Sequence, residues 1–142
     1  MTMRTTITVS LRLLRVAAIV QLVSGVLFWT GHAFTFVPFH MLIGALVVLM
    51  LWTIAVLALV AGVRRPLAVF ELFWGLALAV FGATQGLLLI GSLHWIIRVI
   101  HLLMAFSAMQ LGGMLAKAVL QSRAGATPEP QREVRTATSE AS

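Results

Sequence analysis

The chain contains no cysteine. That excludes disulfides, thiolate metal sites, iron–sulfur clusters and covalently attached c-type haem. Tyrosine is absent too, so no phenol can serve as an acid or a radical relay. Charge is scarce: 10% of the 142 residues are Asp, Glu, Lys or Arg, where a soluble domain carries about 25%. Apolar residues take their place, at 61% of the chain against the usual 45–50% or so. This much apolar surface cannot be kept in water. A soluble globular enzyme is excluded, and so is disorder over most of the length. The net charge of +6 would suggest a nucleic-acid partner in a soluble protein. Here the positive residues sit at the ends of apolar runs, so the expected partner is the lipid bilayer and not nucleic acid.

A spanning helix needs about 20 apolar residues, and four stretches qualify: 11–30, 38–63, 67–90 and 93–120. Gly31 and Gly91 are expected to stop the outgoing helices. Pro66 suits the start of the third, where a missing N–H costs nothing. Short connections make consecutive helices antiparallel neighbours. The expected fold is all-α, an integral membrane four-helix up-down-up-down bundle over 11–120. A cytoplasmic N-terminal segment over 1–10 precedes it. A tail over 121–142, with Pro128, Pro130 and scattered charges, reads as disordered and cytoplasmic.

Orientation follows from the basic residues. Arg4, Arg12 and Arg15 mark the start of the first helix, Arg64 and Arg65 lie between the second and third, and Lys117, Arg123, Arg132 and Arg135 end or follow the fourth. The other two loops carry no charge. This pattern predicts a multi-pass protein of the inner (plasma) membrane with both termini in the cytoplasm. The first stretch also has signal-peptide features: an Arg-rich start, an apolar run and Gly31-His32-Ala33 as a small-x-small site. Its run exceeds a usual signal core, and Phe28 and Trp29 crowd the site, so it is expected to remain as a span.

Sliding the chain by 61 positions superposes Gly25 on Gly86, Phe34 on Trp95, His40 on His101 and Gly44 on Ala105. The matches are few, but the same offset lays one helical hairpin on the next. That is consistent with a tandem repeat of two hairpins.

All four histidines, His32, His40, His94 and His101, lie toward the uncharged side. Ionisable groups at membrane depth are costly and point to function. His40 stands 24 residues before Arg64 and His101 stands 22 before Arg123, which puts them about 36 Å and about 33 Å from the basic side at 1.5 Å per residue. They occupy the second and fourth helices, diagonal partners in such a bundle. Two facing imidazoles can clasp one planar cofactor, and bis-histidine ligation of haem b is the chemistry of that geometry. With both axial positions filled by protein, the role is electron transfer. Small residues on the first and third helices leave room for the ring: Gly25 on one, and Gly75, Ala79, Gly82 and Gly86 as a stripe on the other. On the fourth helix, His94, Arg98, His101, Ala105, Ala108 and Gly112 share one face that should point inward. Arg98, one turn outward of His101, is placed to pair with a haem propionate.

Histidines on helices two and four with glycines on helices one and three, here Gly25, His40, Gly86 and His101, resemble the haem-binding bundle of the cytochrome b family over roughly 11–120. Those cytochromes usually hold two haems, with paired histidines about four turns apart. Here the spacings, His32 to His40 and His94 to His101, are about two turns, or about 11 Å, too little for stacked haems. The resemblance therefore implies a single non-covalent haem near the outer face, carried by His40 and His101 with Arg98, Gly25, Gly82 and Gly86 around it. His32 and His94 are the alternate ligands.

Electron transfer between a membrane quinol pool and an outer-side redox partner, within a larger assembly of membrane redox subunits, is the function this arrangement implies. Two alternatives stand beside it. One is a cofactor-free accessory subunit of a larger complex. The other is a small proton-coupled transporter centred on Glu71, whose simpler role is pairing with Arg64 or Arg65 at a helix N-terminus. The histidines also have simpler roles, as interfacial groups reaching water, or as a four-histidine Cu or Zn site. Gln21, Gln85 and Gln110 are expected to hydrogen-bond between helices. Trp29 and Trp95 suit the outer aromatic belt.

Overall fold

A computed structural model describes residues 2–124. They form helices α1 (Met3–Trp29), α2 (Val37–Val60), α3 (Arg65–Thr84) and α4 (His94–Ala124). A 3₁₀ turn over Phe34–Phe36 leads into α2, and another over Gln85–Leu87 follows α3. The fold among the described residues is all-α, and each of the four spans is long and apolar enough to cross a membrane. The expected tail over 121–142 lies outside the described residues from 125 onward; 121–124 continue α4.

Several boundaries differ from the sequence expectation, each for a local reason. α1 begins at Met3, not at residue 11, so most of the expected N-terminal segment is helical. Thr2 caps it: its side chain accepts from the Thr5 amide at 3.3 Å, which satisfies one of the free N–H groups of the first turn. Ile7 and Ser10 are then buried on the inner face. α1 ends in a Schellman motif, in which the His32 amide bonds Leu27 O at 2.9 Å and the Gly31 amide bonds Phe28 O at 3.1 Å. Gly31 adopts φ +84°, as that motif requires. α2 ends in the same way, with Val63 N on Ala58 O and Gly62 N on Leu59 O, each at 3.0 Å. With Gly62 as the stop, α2 ends at Val60, three residues earlier than the apolar run suggested. α3 ends at Thr84, well before Gly91. The segment from Gly82 to Gly86 has weak helix formers at both ends, and the backbone tightens into a 3₁₀ turn there. Gly91 instead lies just before α4, where its carbonyl accepts from the His94 amide at 3.2 Å.

α1 packs on α2, α2 on α3, α3 on α4, and α4 closes on α1. α2 also touches α4 across the middle, whereas α1 and α3 make no comparable contact. The core is uneven along the bundle. Ile7, Leu14, Leu51, Ile54, Ala58, Ala68, Leu115 and Val119 are all buried at the end that carries Arg64 and Arg65. At the other end no residue in 18–46 or 79–96 is buried. Small residues let the backbones approach at the tight end: Ala55, Ala58, Ala68, Ala108 and Ala116 are fully enclosed. Large apolar side chains such as Ile19, Leu42, Phe73, Leu103 and Phe106 cover the outside, each more than 60% exposed.

Candidate functional site

The loosely packed end holds the two histidines of interest. His40 lies in the first turn of α2, two residues after Pro38, and is half-buried. Its Nδ1 is 2.7 Å from Ser24 Oγ on α1. Ser24 Oγ is also 2.8 Å from Val20 O, to which it donates. With that hydroxyl proton committed, Nδ1–H of His40 donates to Ser24 Oγ and Nε2 keeps its lone pair. Metal-binding histidines are commonly held in this way, one ring nitrogen fixed and the other free to ligate. Phe28 meets the His40 ring edge-on at a centroid distance of 5.3 Å. Gly25 lies against the ring as well, its position for a Cβ being 3.8 Å from Cε1.

His101 sits two turns into α4 and is also half-buried. Phe81 of α3 stacks on it, with centroids 6.1 Å apart and planes 11° from parallel. Gly82 comes closer still: a Cβ there would stand 2.9 Å from His101 Cε1. Because the clash is with the ring itself, Gly82→Ala should force His101 to turn. Such overpacking costs about 1–3 kcal/mol, so a lowered thermal midpoint is the expected result in detergent. An unchanged midpoint would show that the ring has room. His101 Nδ1 is buried without a hydrogen-bond partner, a state that costs about 1–3 kcal/mol and calls for a partner.

The two imidazoles come from α2 and α4 and lie at the same, loosely packed end of the bundle. A cavity of about 180 Å³ opens beside His40, lined by Val20, Ser24, Phe28, Phe36, Phe39 and Ile43 among others. That is smaller than the roughly 300–1,000 Å³ of small-molecule and cofactor pockets.

The other expected site residues divide. On α4 the face running from His94 through Arg98, His101 and Ala105 to Gly112 is inward as expected: Ala108 and Gly112 are buried and the rest half-buried. The stripe on α3 splits. Gly75 packs on Trp52 and Gly82 on His101, but Ala79 is exposed and Gly86, in the 3₁₀ turn, meets nothing. His32 is exposed, and its ring Nδ1 lies 3.2 Å from Thr30 Oγ1. His94 Nδ1–H donates to Leu88 O at 3.1 Å, tying α4 to the preceding loop. Among the described residues no three His, Asp or Glu side chains gather as a metal site, so the four-histidine Cu or Zn arrangement is not assembled.

Two expectations about buried polar groups are corrected. Glu71 does not pair with Arg64 or Arg65. It is fully buried and both carboxyl oxygens lack a hydrogen-bond partner, because the α3 face that carries it turns into the core while both arginines stay exposed. The glutamines do not bridge helices as a set: Gln110 is exposed, and Gln21 Oε1 is buried without a partner. Tryptophans carry interhelix bonds instead. Trp52 Nε1 donates to Leu72 O at 3.1 Å, and Trp74 Nε1 donates to Ser107 Oγ at 2.9 Å.

Ser24, Phe28, Phe81, Trp52 and Trp74 were not expected at the site or the helix contacts. A signal for Ser24 does exist: in an antiparallel hairpin, residues equidistant from the turn face each other. Ser24 and His40 lie symmetrically about His32. Gly82 and His101 have nearly the same relation about Gly91.

Comparison with known proteins returns no match to a family model, a curated protein or a solved structure.

Proposed function

We propose that the chain is a four-helix membrane protein that crosses the bilayer up-down-up-down and carries electrons through one non-covalent b-type haem. The observation that carries this reading is the pair His40 and His101: half-buried histidines from α2 and α4, at the same end of the bundle. Their donor chemistry suits a bis-imidazole iron. Ser24 holds His40 with Nε2 available, and the buried Nδ1 of His101 lacks a partner. Haem supplies one-electron transfer when bound. The protein's part is to present two neutral imidazoles, to keep the His40 ring oriented through Ser24, and to let His101 lie against α3 at Gly82. Arg98, half-buried one turn before His101, offers a propionate partner. The loose packing at this end supports the reading too, because room for a ring can open there without disturbing the tight core.

On this reading the basic ends, with Arg4, Arg64, Arg65, Lys117 and Arg123, face the cytoplasm of the inner membrane. The histidines then stand near the outer face, within reach of quinol and of an outer-side redox partner or partner subunit. A second reading, a cofactor-free accessory subunit, is favoured by two observations: α2 and α4 already touch, and the cavity at His40 is small. Titration of haem into the purified apo-protein separates the two. The haem reading predicts saturation at one haem per chain with a low-spin spectrum. Linear uptake with a free-haem spectrum and no break would leave the accessory reading.

A further inference from the structure

Glu71 is the only acidic side chain among residues 1–124. It is 0% exposed, and neither carboxyl oxygen has a hydrogen-bond partner. Residues of the three other helices converge beside it. The point where a Cβ on Gly112 of α4 would stand is 3.8 Å from Glu71 Oε1, 3.6 Å from Leu14 Cδ2 of α1 and 2.8 Å from Leu51 Cδ2 of α2.

Among the described residues no positive charge faces this carboxyl. On α1, Arg4, Arg12 and Arg15 are exposed; at the start of α3, Arg64 and Arg65 are exposed; on α4, Lys117 and Arg123 are exposed. α2 has no titratable side chain except His40, which lies at the opposite end with Arg98 and His101. A bare carboxylate in such surroundings costs several kcal/mol even after relaxation, and far more in a rigid low-dielectric medium. A hard cation would need about six oxygen ligands, whereas leucine methyls and a glycine converge with Glu71 Oε1 at the Gly112 contact, and among the described residues no group of three or more His, Asp or Glu side chains includes Glu71.

From this geometry we propose that Glu71 is a proton-binding site in the core of the bundle, with the proton itself as ligand. The site lies six residues along α3 from Arg65, or about 9 Å by helix rise, so the proton exchanges with the basic end. This inference is independent of the haem, and its test needs none.

The test is an infrared difference spectrum between the full-length protein and Glu71→Gln, both in lipid bilayers, over a pH series. Glutamine keeps the shape and removes the titratable group. At neutral pH the expected difference is the loss of one protonated-carboxyl C=O band per chain, which shifts in D₂O and disappears reversibly in alkali. Loss of carboxylate bands instead would show an ionised group and overturn the proposal. A C=O band unmoved by D₂O and by alkali would overturn it as well, since the proton would then not exchange. If Glu71→Gln fails to fold, Glu129, Glu133 and Glu140 are changed to glutamine, and ¹³C-labelled Glu71 is read alone by solid-state NMR. An acid carboxyl shift at neutral pH that moves with alkali supports the site, and a carboxylate shift at neutral pH overturns it.

Discussion

Gly112→Leu should prevent the bundle from closing. Gly112 is buried on α4 at the point where Leu14, Leu51 and Glu71 converge, and a Cβ alone would stand 2.8 Å from Leu51 Cδ2. Leu51 cannot swing away, because it is itself fully buried. A leucine at 112 therefore pushes α4 off α2 at the tight end of the core. Overpacking typically costs about 1–3 kcal/mol, and a side chain of this size in an enclosed site belongs at or above the top of that range. In the proposed bilayer setting, helix association depends on close packing more than on hydrophobic burial, so little is left to offset the loss. The expected readout is a sharp fall in the monodisperse fraction after detergent extraction. Gly112→Ala should do less harm, and combining it with Leu51→Ala should recover part of the loss, because the second change removes the atom the first one strikes. Neighbouring sites of this kind show coupling of about 0.5–3 kcal/mol. Wild-type behaviour of Gly112→Leu would mean that α4 does not pack on α2 as described.

The second large effect is functional. His101→Ala and His40→Ala should each abolish stable haem binding, since a bis-imidazole site that loses one ligand loses its low-spin character and most of its affinity. His32→Ala and His94→Ala should leave haem content within about twofold of wild type. His32 is exposed, and His94 is engaged with Leu88 O. Ser24→Ala should fall between these cases, because losing the partner of a ligating histidine commonly costs about 10–100-fold in metal affinity. Equal haem content in all five variants would remove His40 and His101 as the ligands.

The four helices, and the placement of His40 and His101 on the second and fourth of them, are legible from the sequence because long apolar runs and the spacing of arginines are strong, local signals. Helix ends were less legible. An apolar run does not end where the hydrogen bonds do: α2 stops at the Gly62 Schellman turn while the hydropathy continues to Val63, and α3 tightens at Gln85 inside a run that reaches residue 90. The start of α1 was missed for the opposite reason, since Thr2, Thr5 and Thr6 look polar yet cap and extend the helix. Side-chain partners were the least legible. Ser24 finds His40 through the symmetry of a hairpin, and Gly82 rather than Gly86 meets His101 because the second loop is longer and shifts the register. Glu71 looked like a helix-start residue paired with arginine. Which way its face turns depends on packing against α1, α2 and α4, and no local pattern records that.

The central claim, a single haem held by His40 and His101, is tested most directly by a reduced-minus-oxidised absorption spectrum of the protein purified in detergent after expression with haem supplied. A sharp low-spin alpha band, at one haem per chain, is the predicted result. A colourless protein with full helical content would contradict the claim.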